Sequence, residues 1–212
     1  MSAQRSARVA FGARRRRRAR LFAGGTAGNE QLTAATGVVL IAMLAALGVT
    51  IVAIARLLDA HMFIGMLLIG PVALKIASTG YRFLRYYASD PAYRAKGPPW
   101  IVMRAIAPVV VLSTIVVFAT GVALLLVGPG DRGTLTLLHK ASFIVWVAFT
   151  ALHVLGHVLE LPAALRVRRT LDDRGSGLGA RAILLASALV VGLVLALLAT
   201  GRFGAWAHYH HH

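Results

Sequence analysis

Five long apolar runs divide the chain, and none of them alternates between polar and apolar positions. Residues 35–55, 60–81, 105–127, 141–159 and 182–201 each have the length that crosses a bilayer, which takes about 20 residues at a helical rise of 1.5 Å. Four of the runs hold no charged side chain, and the run 60–81 holds one, Lys75. Strands of a membrane barrel would alternate over about ten residues, so the pattern predicts helices. The expected fold is all-α, an integral membrane bundle of five transmembrane helices. The chain then divides into a basic arm over 1–34, a transmembrane domain over 35–203 and a His-rich tail over 204–212.

Composition sharpens this picture by exclusion. Of 212 residues, 58% are hydrophobic and only 14% charged, where a soluble domain has about a quarter charged. With no cysteine in the sequence, disulfide frameworks, thiolate zinc sites, iron–sulfur clusters and cysteine nucleophiles are ruled out.

Charge then orients the bundle. Lys and Arg number 23 against 7 Asp and Glu, and they are unevenly placed. The arm carries Arg5, Arg8, Arg14 to Arg18 and Arg20. The loop after the second run carries Arg82, Arg85, Arg94 and Lys96, with Arg104 beside it, and the loop after the fourth carries Arg166, Arg168, Arg169, Arg174 and Arg181. Alternate threading puts all three groups on one side and leaves Arg56, Arg132, Lys140 and Arg202 on the other. The positive-inside rule therefore predicts a cytoplasmic N-terminus and an external C-terminus. Arg outnumbers Lys 20 to 3, a bias of GC-rich bacterial genomes, so the expected location is a bacterial cytoplasmic membrane. The five-arginine run precedes a membrane span, so topology and attraction to anionic membrane lipid account for it, and nucleic acid is not an expected partner. Ala53-Ile54-Ala55 resembles a signal-peptide cleavage site, but the 21-residue run before it exceeds the 7–15 typical of such signals. A retained helix is expected.

The histidines are the candidate chemistry. Four of the eight lie at the C-terminus, His208, His210, His211 and His212, where a metal-binding tail and a purification-tag remnant are equally good readings. His61 opens the second run, and His139, His153 and His157 lie along the fourth; the other three runs have none. Under alternate threading His61 and His139 fall at one depth near the outer surface. Two imidazoles so placed on facing helices are what a bis-histidine haem requires, one nitrogen approaching iron from each face. Gly65 sits about 40° around the helix from His61, where a missing side chain leaves room for a flat macrocycle, and Gly121 offers the same on the third run. His139 and His153 are 14 residues apart, so they share a face about 21 Å apart along the axis, and His157 lies on the same stripe.

On these residues the chain resembles the membrane cytochrome b superfamily, over roughly residues 55–160. In that superfamily two helices each carry two histidines, 13 or 14 residues apart, and hold two b haems stacked across the bilayer. The resemblance implies that His61 and His139 ligate an outer haem and that His153, or less securely His157, ligates an inner one, for one or two haem b in all. The departure is that Lys75, not histidine, stands 14 residues after His61. Three readings of Lys75 stay open: an inner-haem ligand when deprotonated, a partner of a propionate or quinone oxygen, or a lysine reaching for the headgroups.

An alternative metal reading rests on His153, His157 and Glu160, spaced to share a face, although no HExxH motif is present. The loop from Tyr81 to Trp100 interleaves Tyr with Arg, as an interfacial aromatic belt does, and its arginines are candidates for inner propionates or a cytoplasmic donor. Arg132 and Lys140 are candidates for the outer propionates. The function expected is a b-type haem protein that passes electrons between a quinol or cytoplasmic donor and an extracytoplasmic acceptor or partner oxidoreductase. No flavin or nicotinamide domain is visible, so catalysis would belong to a partner. The rival is a non-haem membrane transporter or structural subunit whose histidines bind metal or protons. The breaks at Gly70-Pro71 and Pro108 are compatible with it but do not form the matched pairs of transporter repeats.

Overall fold

The computed structural model describes residues 25–95, 97, 101–130, 132–158 and 178–209, and their side chains except those of 25, 27, 157, 158, 178 and 207–209. Among the described residues the structure is helical, with no strand. Five helices are long and apolar enough to cross a membrane: α1 (Gly25–Val52), α2 (Ile54–Tyr87), α4 (Ile101–Val127), α5 (Gly133–Val158) and α6 (Leu178–Ala199). A short α3 (Pro91–Arg94) lies in the loop between α2 and α4. A 3-10 turn at Thr200–Arg202 leads from α6 into α7 (Phe203–Tyr209). Much of the apolar surface is unpacked by protein, Val52 being 90% and Leu198 75% exposed. Such faces suit acyl chains rather than water.

All five long helices begin before the apolar runs that announce them. α1 begins at Gly25, inside the segment expected to be arm, because the polar residues of its first turns face another helix. There the Asn29 side-chain amide donates to the Ser78 carbonyl at 3.0 Å, and the Thr33 hydroxyl donates to Ser78 Oγ at 3.1 Å. At the other terminus the segment expected to be a tail contains α7, whose Phe203 and Trp206 are buried. The arginines of the arm, those at 166–174, Lys96, Trp100, Asp131, Glu160 and His210 to His212 lie outside the described residues.

The helices form two groups. α1, α2 and α6 pack together, α4 pairs with α5, and the groups meet chiefly where α2 approaches α4. The α2–α6 crossing depends on glycine. A Cβ on Gly70 would strike the Ala188 carbonyl oxygen, and one on Gly192 would strike that of Leu67. Pro71 lacks the N–H that would have bonded the Leu67 carbonyl within the helix. The backbones thus meet at the carbonyl the proline leaves without a helical donor, a close approach of the small-residue kind that packs membrane helices.

α4 and α5 are joined by the indole N–H of Trp146, which donates to Thr114 Oγ1 at 2.9 Å. The α1–α2 and α4–α5 turns lie at one end of the bundle, called here the hairpin end. Ala53 alone separates α1 from α2, and Leu57 (φ −118°, ψ 24°) kinks the start of α2. At this end Leu125, Ala199, Phe203 and Trp206 form a buried cluster with Leu58, Met62, Phe63 and Met66 of α2, tying the two groups together.

Candidate functional site

His61 lies four residues past the kink at Leu57, and His139 six past the start of α5. Both are therefore within about two turns of the hairpin end. They are held by the same device. Thr50 donates its hydroxyl proton to the Leu47 carbonyl at 2.6 Å, which leaves Oγ1 as an acceptor for His61 Nδ1 at 3.0 Å. Thr120 donates to the Val116 carbonyl at 2.8 Å and stands 3.1 Å from His139 Nδ1. The Val117 carbonyl, which only accepts, lies 3.2 Å from the same nitrogen. A carbonyl at His139 Nδ1, and at His61 a hydroxyl that donates within its own helix, favour the tautomer with the proton on Nδ1. The neutral imidazole then presents its Nε2 lone pair, and no described residue hydrogen-bonds either Nε2. This is how proteins commonly hold a metal-ligating histidine: a backbone carbonyl or similar acceptor on one nitrogen fixes the tautomer and aims the other.

The two histidines belong to different helix groups and lie at the same end of the bundle. α2 and α5 themselves do not pack closely. The two glycines beside them behave differently. A Cβ on Gly65 would meet nothing within 4 Å, so the α2 face next to His61 is open. A Cβ on Gly121 would lie 3.1 Å from His139 Cε1. Gly121 thus makes room for the imidazole and not for a macrocycle, contrary to the role expected for it. The Trp206 Nε1–H, in the cluster that packs on Met62, is buried with no hydrogen-bond partner among the described residues.

The remaining candidates lie elsewhere. Lys75 Nζ donates to the Thr33 carbonyl at 2.8 Å, across the α1–α2 seam, and Ser78 Oγ donates to the Lys75 carbonyl at 3.0 Å. The amine is directed to α1 and not toward α5. His153 is half-buried on α5. The His157 side chain and Glu160 are outside the described residues, so the three-residue metal reading falls there too. Among the described residues no three His, Asp or Glu side chains gather as a metal site. Nothing in the sequence marks Thr50 and Thr120 as partners of the histidines. Their only signal is a hydroxyl inside an apolar run, shared by several threonines that merely bond their own helix, such as Thr36 on the Leu32 carbonyl.

No family model, curated protein or solved structure matches the chain.

Proposed function

We propose that the protein is a b-type haem electron-transfer protein of a bacterial cytoplasmic membrane, in which His61 and His139 would hold the haem. One observation carries the reading: two histidines from separate helix groups stand at one end of the bundle, each with Nδ1 engaged by a threonine hydroxyl of the neighbouring helix. Haem needs a flat opening and a donor for its carboxylates. The open face at Gly65 and the unpartnered Trp206 N–H fit those needs. Bound there, the haem would supply one-electron redox chemistry. The chain's own residues would orient the ligands, exclude water through the cluster around Trp206 and hold the imidazole protons on Nδ1.

The placement of arginines supports the hairpin end as the outer end. Electrons would then pass between a quinol or cytoplasmic donor and an extracytoplasmic acceptor or partner oxidoreductase. The engagement of Lys75 by Thr33 argues for one haem over two, because an inner haem on His153 would lack a ligand from α2. Haem content of the purified variants tests the assignment. His61→Ala and His139→Ala should each empty the site, while His153→Ala should retain it. Unchanged haem in the first two would overturn it.

A further inference from the structure

At the end of the bundle away from the hairpin turns, residues 81–95 and Arg104 bring together four arginines and one carboxylate. Two of the arginines are engaged. Arg85 pairs with Asp90, and its guanidinium lies 5.9 Å from the ring centres of both Tyr81 and Tyr93. Arg104 bonds the Tyr87 hydroxyl and lies over that ring. The loop is built to hold them. Ser89 ends α2 in the left-handed region at φ 65°, and Asp90 caps α3 by accepting from the Ala92 and Tyr93 amides. Tyr93 is buried, edge-on to Tyr81 at 6.1 Å.

The other two arginines have no such partner. Arg82 and Arg94 are exposed, and no described residue offers either a carboxylate. Arg82 follows Tyr81 and Arg94 follows Tyr93 in the chain, and the rings of those two tyrosines meet, so both arginines flank one aromatic contact. On the same turns Phe83 and Leu84 are 60% and 67% exposed, and Ile101 on α4 is 73% exposed. Charged guanidinium groups beside exposed apolar side chains, at the mouth of a membrane-crossing helix, match a molecule with an anionic head and an apolar tail. We propose that Arg82 and Arg94 form a binding site for the phosphate headgroup of an anionic phospholipid, with Arg104 beside it and the acyl chains along Phe83, Leu84 and Ile101. The shared chemistry is a phosphate on a guanidinium pair. The apolar flank selects a lipid over a free phosphate.

The test is native mass spectrometry of the full chain in detergent, titrated with phosphatidylglycerol or phosphatidylcholine. The wild type should retain phosphatidylglycerol preferentially. Arg82→Gln/Arg94→Gln should weaken that retention by roughly ten- to thirtyfold, from the usual contribution of a basic residue at an anionic surface. The double lysine variant should keep part of it. Replacing Arg14 to Arg18 by Gln, or Arg56 by Gln at the opposite end, should leave the tight site intact. Equal retention by the wild type and the double Gln variant would overturn the proposal, as would equal binding of the two lipids. Displacement of phosphatidylglycerol by millimolar inorganic phosphate would also overturn it, marking a phosphate site rather than a lipid site. Circular dichroism of the variants shows whether any loss is unfolding, and the lysine variant separates lost charge from lost fold.

Discussion

Thr50 and Thr120 fix their histidines with unequal redundancy. His61 Nδ1 has Thr50 alone, whereas His139 Nδ1 has the Val117 carbonyl as well as Thr120. Loss of such an outer partner typically lowers metal affinity by about 10- to 100-fold. Thr50→Val should therefore release haem to a scavenger faster than Thr120→Val, and a reversed order would contradict the proposed anchoring. Tyr93 gives a second test at this scale. Burial, then the neighbouring Tyr81, raises its phenol above the ordinary value of 10.0, with Arg85 opposing. For a raised value, the contribution to stability is complete below the unfolded pKa and disappears as pH rises through the folded one. Tyrosinate absorbance should show one late-ionising tyrosine that is missing in Tyr93→Phe, and that variant should lose less stability above pH 10.0. The histidines themselves stand out in the sequence because ionisable residues are costly in a membrane. Their partners do not, because the pairing of Thr50 with His61 follows from the register of a hairpin closed by the single residue Ala53.

The apolar runs locate all five spanning helices but not their ends. Hydropathy registers only lipid-compatible residues, whereas Asn29 and Thr33 are helical through polar contacts with α2 that hydropathy cannot register. Lys75 shows the same limit: three roles fit its position in the run, and its bond to the Thr33 carbonyl appears only once α1 and α2 are docked. Lys75→Met should weaken that seam, lowering thermal stability in detergent, while leaving haem content unchanged; a loss of haem would restore Lys75 as a ligand. The α2–α6 crossing is tested by Gly192→Ala. Its methyl would strike the Leu67 carbonyl, which is backbone and cannot rotate away. Destabilisation of about 1–3 kcal/mol is expected for such overpacking, read as a fall in thermal midpoint. Gly65→Ala, whose methyl meets open space, should be nearly neutral for the unloaded protein.

At the scale of the whole molecule, the five-helix membrane plan is legible from the runs alone, and the division into two helix groups is not. That division comes from contacts such as Gly70 and Gly192 between α2 and α6, and Trp146 with Thr114 between α4 and α5. The distance in sequence gives no sign of either pairing. The division also gives the candidate site its form, because His61 and His139 stand at one end of the bundle on helices that do not pack closely. We propose that the two histidines hold one haem between them. The most direct measurement is a dithionite-reduced minus air-oxidised spectrum of the detergent-purified protein, with haem per chain by pyridine haemochrome. Sharp b-type bands and about one haem per chain are expected. A spectrum without haem bands, from cells grown with ample haem, would contradict the proposal.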